Sequence, residues 1–348
     1  MAQSMRLFLI RHGETVDNVA GLYAGVRDSE LTNHGYQQAT RLGLYFKTNA
    51  LSFTHLFSSH LQRAAKTAGK IREAQLALAG NDDAAADVPE VVQLPLLVEQ
   101  DFGSMEGKKF HERPPESKLT GKEHHRQESK GTTGFVDVES KDDMARRANT
   151  FLDEHLLPLM DETPGADEQC IAIVSHGIFL STLWKRLLHR LPAKSVVLCP
   201  ELQATARPSL EHLGGWSNTG YLELHMAQSV AADDAPRTSE SAPSVPVPSS
   251  PAETPACDEA LGQVEVPHHS DGGDVTLKDA VDTPATTGEL STKSSIDRIA
   301  HGWKTTILAI NAKDHLKGMK RTGGGVGSSR HDASQKSIET FFKRRKVE

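Results

Sequence analysis

Cysteine is scarce in this sequence. There are three in 348 residues, Cys170, Cys199 and Cys257, far apart and without CxxC spacing. That excludes a cysteine-based zinc site and fits a reducing compartment. Metal motifs such as HExxH are also missing, so no metal or other cofactor is expected. No apolar stretch approaches the roughly 20 residues that a membrane span needs. The apolar run in MAQSMRLFLIRHG is too short for a signal peptide, and its charges are wrongly placed. Excess positive charge is lacking too: the net charge is -7, which argues against direct nucleic-acid binding. With 37% hydrophobic and 24% charged residues, a packed core requires part of the chain to stay outside it. The expectation is a soluble intracellular protein with no membrane partner.

What is present reads first as an α/β domain. MRLFLI (5–10), THLFSS (54–59), VVQLPLL (91–97) and CIAIVSH (170–176) are short apolar runs, as expected for strands covered on both faces. Helical stretches lie between them: one beginning at the N-cap candidate Thr32, HLQRAAKTAGKIREAQ, SKDDMARRANTFLDEHLLPLM, and GIFLSTLWKRLLHRL, which is apolar nearly all round and hence expected to be buried. Alternating strands and helices imply a mainly parallel sheet with helices on both sides.

Two regions break the pattern. Residues 104–138 are charged and turn-rich and read as an excursion over one face. Its basic residues Lys108, Lys109, Arg113, Lys118, Lys122 and Arg126 would suit a second phosphate or an acidic substrate, but they alternate with Glu106, Glu112, Glu116, Glu123 and Glu128, so a solvated mixed-charge loop is the plainer reading. Residues 227–300, with PSVPVPSSPAETP near their centre, are too poor in apolar surface to order themselves. WKTTILAIN (303–311) then reads as a strand again. Either it neighbours YLELHM (221–226) across a swollen connection, which loop-closure entropy tolerates, or the domain ends near 226 and the last strand is a stray. The first reading is preferred, because a lone strand is not stable. The domain is therefore expected over 1–226 and 301–316, followed by a flexible basic tail from 317 to 348.

The chemistry sits at the strand ends. Arg11 and His12 close the first strand, at the sheet edge where doubly wound folds bind ligands. Gly13 lets the backbone turn sharply and keeps the approach to His12 clear. A neutral imidazole nitrogen is a good nucleophile, and a guanidinium beside it attracts a phosphoryl oxyanion. Arg63 lies just past the second strand. Glu99 lies just past the third, flanked by Leu97, Val98 and Phe102, a setting that raises a carboxyl pKa as a proton donor requires. His176 ends the fourth and is followed by Gly177. Singly these residues have bland alternatives: a chance tripeptide, a solvated helix arginine, a loop glutamate, a core histidine. Jointly they are hard to dismiss.

RHGET with Asn18, SSHLQRAAKTA, LLVEQDFGSMEG and IVSHG, in that order, resemble the histidine phosphatase superfamily, also called the phosphoglycerate mutase-like family. LTNHGYQQA (31–39), VESKDDMARR (138–147) and NTGYLEL (218–224) are further echoes. The resemblance implies a three-layer α/β/α domain that needs no metal. It implies His12 as the nucleophile that becomes phosphorylated, and Arg11, Arg63 and His176 as ligands of the phosphoryl group. Asn18 and the backbone at Gly177 would add hydrogen bonds, while Glu99 would protonate the leaving oxygen and later activate water. EQDFGSMEG looks like the phosphatase branch, which implies a phosphorylated substrate whose phosphoryl group passes to water. The alternatives are a phosphoglycerate mutase-type phosphotransferase and a phosphatase-like binding scaffold. His124-His125 and His268-His269 read as surface pairs.

The tail differs in character. From Asn311 to the end there are ten basic and four acidic residues, a net of +6. Its glycine-rich stretch is no phosphate loop, since no GKS or GKT follows. In QKSIETFFKRRKVE, Gln335, Ile338, Phe341 and Phe342 match the pattern of a PCNA-interacting peptide, which docks on sliding clamps. One helical turn would group the three apolar side chains as a plug, with Gln335 reaching a polar pocket. The alternative is that the same three side chains fasten the tail back onto the domain. The basic cluster 343–346 reads as a nuclear localisation signal for an import receptor. The expected location is the nucleus, the cytoplasm or both.

Overall fold

The computed structural model describes residues 3–77, 88–110, 121–161, 168–205, 209–228, 299–320 and 325–332. The clamp-binding pattern at 335–342, the basic cluster at 343–346, His268-His269 and nearly all of the low-complexity segment lie outside them.

Strand β1 (Ser4–Arg11) runs through the middle of a seven-stranded sheet. It pairs in parallel with β4 (Gln169–Ser175) and antiparallel with β6 (Tyr221–Gln228). Beyond β4 come β2 (His55–Ser59) and β3 (Val91–Leu94), both parallel to it in direction. Beyond β6 come β7 (Trp303–Ala312) and β5 (Val196–Leu198). The sheet is mainly parallel, with β6 as its one reversed strand.

Alternation along β1 assigns the two faces. Leu7 and Leu9 join one apolar cluster with Ile171, Ile173, Phe179 and Trp184; Phe8 and Ile10 join the other with Leu42, Phe46, Ala64 and Ile71. Helices α2 (Asn33–Thr48) and α3 (Gln62–Leu76) cover the second face. On the first lie α5 (Lys141–Phe151), α6 (Leu157–Asp161) and α7 (Gly177–Arg190). The short α1 (Val16–Ala20), α4 (Gly121–Ser129) and α8 (Pro200–Thr205) belong to the connections. Thr32 caps α2, its hydroxyl accepting from the Gly35 amide at 2.9 Å.

Several local expectations need correction. The run 91–97 is not one strand: Pro95 has no N–H for a ladder and opens a 3-10 turn, Pro95–Leu97. β3 is an edge strand with Val92 exposed. Helix α7 is not buried all round, since Ile178 and His189 face solvent. A π-helical turn, Leu152–Leu156, joins α5 to α6. Strand β5 had no sequence signal.

Strands β6 and β7, on either side of the low-complexity segment, pair directly, from Tyr221↔Ala312 to Gln228↔Trp303. Trp303 and Ile307 are buried in the first cluster, so β7 is an integral part of the sheet.

Candidate active site

The register Arg11↔Ser175 between parallel strands makes β1 and β4 end level. Their next residues, His12 and His176, therefore leave the sheet side by side, with ring centroids 5.1 Å apart. Arg63, on the first turn of α3, reaches the same edge, and its Nε donates to His176 Nδ1 at 3.1 Å. Glu99 follows the 3-10 turn after β3. Together with Arg11, Asn18 and Gly177, these residues line or back one cavity of about 480 Å³.

Hydrogen bonds fix the state of each ring. His12 Nδ1 lies 2.7 Å from the Gly13 carbonyl. A carbonyl only accepts, so Nδ1 carries the proton and Nε2 keeps its lone pair. Arg63 only donates, so His176 Nδ1 is bare and Nε2 carries the proton. That Nε2–H is buried and without a partner among the described residues. Burial, then Arg63 and Arg11, hold the His12 pKa well below the ordinary histidine value, against the pull of the Gly13 carbonyl. Burial first, then Arg63, His12 and Arg11, does the same to His176. Both rings are neutral at neutral pH.

The guanidinium of Arg63 is almost fully used within the protein. Besides His176 it donates to Arg27 O at 2.7 Å, Gly25 O at 2.7 Å and Ala24 O at 3.2 Å. That leaves one of its five N–H groups for a ligand. Burial lowers its pKa to about 10, opposed mainly by Glu99, so it remains charged at neutral pH. Glu106 holds the same loop from its other side, accepting from the amides of Gly25, Val26 and Arg27. It is therefore no solvated member of a mixed-charge loop. Arg11 is less committed: Nη1 donates to Trp216 O at 2.6 Å, and Nε is buried without a partner among the described residues.

Glu99 sits at the N-terminus of α7. Its carboxylate accepts from the amides of Ile178 at 3.1 Å, Phe179 at 2.9 Å and Gln100 at 3.0 Å. Its oxygens are thus met by amides, and not by apolar side chains alone as the sequence suggested. Two of the helix's free N–H groups are satisfied this way, and the Gly177 amide, at the cavity wall, is left over among the described residues. Arg147 fixes the segment that carries Glu99. It donates to Leu96 O, Val98 O and Glu99 O and pairs with Glu139 at 2.7 Å.

The remaining members hold the nucleophile's backbone. Asn218 Nδ2 donates to His12 O at 3.2 Å and to Asn18 Oδ1 at 3.1 Å. The Thr219 amide donates to Arg11 O at 3.0 Å and His12 O at 3.2 Å, from a left-handed φ of 55°. Thr219 Oγ1 donates to Asn218 O at 2.7 Å, so the ring N–H at His315 Nε2 donates to Thr219 Oγ1 at 2.8 Å. Asn18 Oδ1 is occupied by Asn218 and by the Thr15 amide, which leaves its amide nitrogen as the donor. Gly13 has an ordinary φ; it is needed because a Cβ there would meet Gly35 O at 2.6 Å, where α2 packs on the loop. The close approach, and not a turn, is what requires glycine.

Sequence reasoning missed Tyr23, Phe110, Trp216, Asn218, Thr219 and His315 as parts of the site or its support. NTGYLEL carried a signal for Asn218 and Thr219, polar residues just before a strand. The aromatic positions carried none. His125 is not a surface residue: it is buried, with Nε2 3.0 Å from Lys109 O, and its ring packs near Tyr23.

A family profile described as histidine phosphatase superfamily (branch 1) matches residues 7–200. A Schizosaccharomyces pombe protein named as a probable phosphatase is 33% identical over 192 residues, 52% of this chain and 56% of its own length. The chain thus spans little more than half of that relative. The adenosylcobalamin/alpha-ribazole phosphatase of Salmonella typhimurium is 36% identical over 194 residues, 55% of this chain and 83% of that protein. A solved structure titled mycobacterial hydrolase 1 is 23% identical with a TM-score of 0.44, covering 64% of this chain and 92% of that one.

Proposed function

This chain belongs to the histidine phosphatase superfamily, and from that premise we propose that it hydrolyses phosphomonoesters through a phosphohistidine at His12. One observation carries the reading. His12 is a neutral ring whose Nδ1 is tied to the Gly13 carbonyl and whose Nε2 lone pair is available in a cavity that also holds Arg11 and Arg63.

In the first step Nε2 attacks phosphorus, a P–N bond forms and the bond to the leaving oxygen breaks. Glu99 delivers the proton that the leaving alcohol requires. The ring becomes a cation, stabilised by the Nδ1–H bond to Gly13 O. Arg11, the remaining N–H of Arg63, the His176 Nε2–H, the Gly177 amide and the Asn18 amide nitrogen surround the phosphoryl oxygens as charge builds. In the second step Glu99 takes a proton from water, the P–N bond breaks, and phosphate and neutral His12 are restored.

A mutase must also hold the carboxylate and second phosphate of its sugar acid. Among the described residues, Arg11 and Arg63 are the only lysines or arginines lining the cavity, which favours water as the acceptor. The discriminating experiment supplies a phosphomonoester with and without 3-phosphoglycerate, in metal-free buffer. Release of inorganic phosphate at a rate indifferent to the sugar acid is expected. Transfer to the sugar acid in place of release would reassign the chain to the mutases, and no turnover by a folded chain would favour the binding scaffold.

For the tail the proposal rests on sequence. Gln335, Ile338, Phe341 and Phe342 would dock on a sliding clamp such as PCNA, and residues 343–346 would engage an import receptor and bring the enzyme to the nucleus. The full chain should co-elute with a purified sliding clamp, and the double substitution Phe341→Ala, Phe342→Ala should abolish this. Unchanged co-elution of that variant, or none with the wild type, removes the proposal.

A further inference from the structure

The floor of the cavity is cationic, but its walls are not. Tyr23 lies with its ring centroid 4.8 Å from Phe102 and 5.8 Å from Phe110. All three line the cavity, as do Leu22 and Ile178. This cluster is built on a fixed frame. The Tyr23 amide donates to Lys108 O, the Gly107 amide to Tyr23 O and the Phe110 amide to Gly21 O, so segments 21–23 and 107–110 pair antiparallel. Trp216 adds a further aromatic side chain to the same cavity. Its indole N–H donates to Ser181 Oγ at 3.0 Å and its carbonyl accepts from Arg11, so the ring is held beside the phosphoryl site.

Among the described residues, charge is confined to the floor. Among the described residues the cavity is lined by two cations, Arg11 and Arg63, and one carboxylate, Glu99, all with assigned tasks. Lys108 and Lys109 belong to the paired segments but do not line it. The other polar side chains that line it, Thr15, Asn18 and Ser181, are uncharged. A substrate bearing a second phosphate or a carboxylate would place that charge against tryptophan and phenylalanine, with no counter-ion among the described residues and at a heavy desolvation cost. A flat apolar body would be accepted by the aromatic rings.

Given the phosphatase reading above, we infer that the preferred substrate is the monoester of an uncharged aromatic or apolar alcohol, with Tyr23, Phe102, Phe110 and Trp216 as its specificity wall. Doubly charged sugar phosphates are disfavoured. The volume of about 480 Å³ falls in the range of pockets that enclose drug-sized molecules, well beyond what a phosphate alone requires.

Leaving-group chemistry must be held constant in the test, since phenols depart more readily than alkanols. The comparison is therefore 2-phenylethyl phosphate against ethyl phosphate and 3-phosphoglycerate, all alkyl esters, with the full chain. The ratio of kcat/KM for phenylethyl over ethyl phosphate is expected to be about 10 to 100, the effect of burying one phenyl group. Trp216→Ala and Tyr23→Ala should each reduce that ratio several-fold, with thermal melts confirming folded variants. A wild-type ratio near one, a ratio unmoved in both variants, or a preference for 3-phosphoglycerate overturns the specificity wall while leaving a phosphatase. Absence of release from all three esters by the folded wild type overturns the phosphatase reading, and this inference with it.

Discussion

Replacing His12 by alanine is expected to lower phosphate release by at least about 10⁴-fold while the chain still folds, the scale seen when an enzyme loses its nucleophile. The size of the effect follows from what remains. Among the described residues, His176 is the one other imidazole beside the phosphoryl site, and it cannot substitute: its Nδ1 accepts from Arg63 and its Nε2 carries a proton. Alanine leaves the Gly13 carbonyl and the Thr67 hydroxyl bond to the Gly13 amide untouched, so the loop keeps its path. The phosphorylated intermediate should vanish too. In the wild type it should appear as an acid-labile, alkali-stable label, as a P–N bond behaves. The pH profile adds a second criterion. Because burial and the two arginines hold the His12 pKa well below 6.5, kcat/KM should not fall on the acid side with a histidine titrating near 6.5. More than about 1% residual release in the His12→Ala variant, set against the 10⁴-fold expectation, would remove His12 from the mechanism.

The second large effect concerns stability in acid. His12, His176 and His315 are buried and neutral in the folded chain. Burial brings His315 to about 4, with Asp314 opposing and Arg41 adding to the fall. In the unfolded chain each would titrate near 6.5. Below that pH the unfolded state therefore binds protons that the folded state does not, and stability declines as pH falls. The loss begins near pH 6.5 and continues until the folded-state values are reached, about pH 4 for His315. That one residue accounts for roughly 3 kcal/mol across the window, and the pair at the site adds to it. Urea unfolding at a series of pH values measures the protons taken up. His315→Gln should reduce the uptake between pH 6.5 and 4.5 by about one proton. An uptake equal to that of the wild type would mean that His315 is not neutral when folded.

The parts of the fold that were legible are those specified by local pattern. The runs at 5–10, 54–59 and 170–175 became strands because alternate residues of each feed both apolar clusters, as Leu7 and Phe8 show. Thr32 announced α2 through its own cap. What stayed hidden depends on distant partners. Pro95 could be read as a strand breaker only with the ladder in view. Glu106 looked solvated because its partners, the amides of residues 25–27, lie some eighty residues earlier in the chain. The site divides in the same way. Arg11, His12, Arg63, Glu99 and His176 follow strand ends and so converge once the strands run parallel. Tyr23, Phe110 and Trp216 sit on connections, where no periodicity marks them, and His315 lies beyond a segment of biased composition.

The register of β1 against β6 also has a consequence for traffic around the molecule. Ser4 pairs with Ala227 and Ile10 with Tyr221, so Gln228 lies level with Gln3 at the pole of the sheet opposite His12, roughly 30 Å away at about 3.3 Å per residue. Trp303 is its neighbour there. Gln228 and Trp303, the strand residues nearest the low-complexity segment on either side, therefore lie side by side at the end of the sheet away from the cavity. The chain after β7 sets out from the catalytic pole, passes His315 and returns at Ser329 and His331 to the segment that precedes α2.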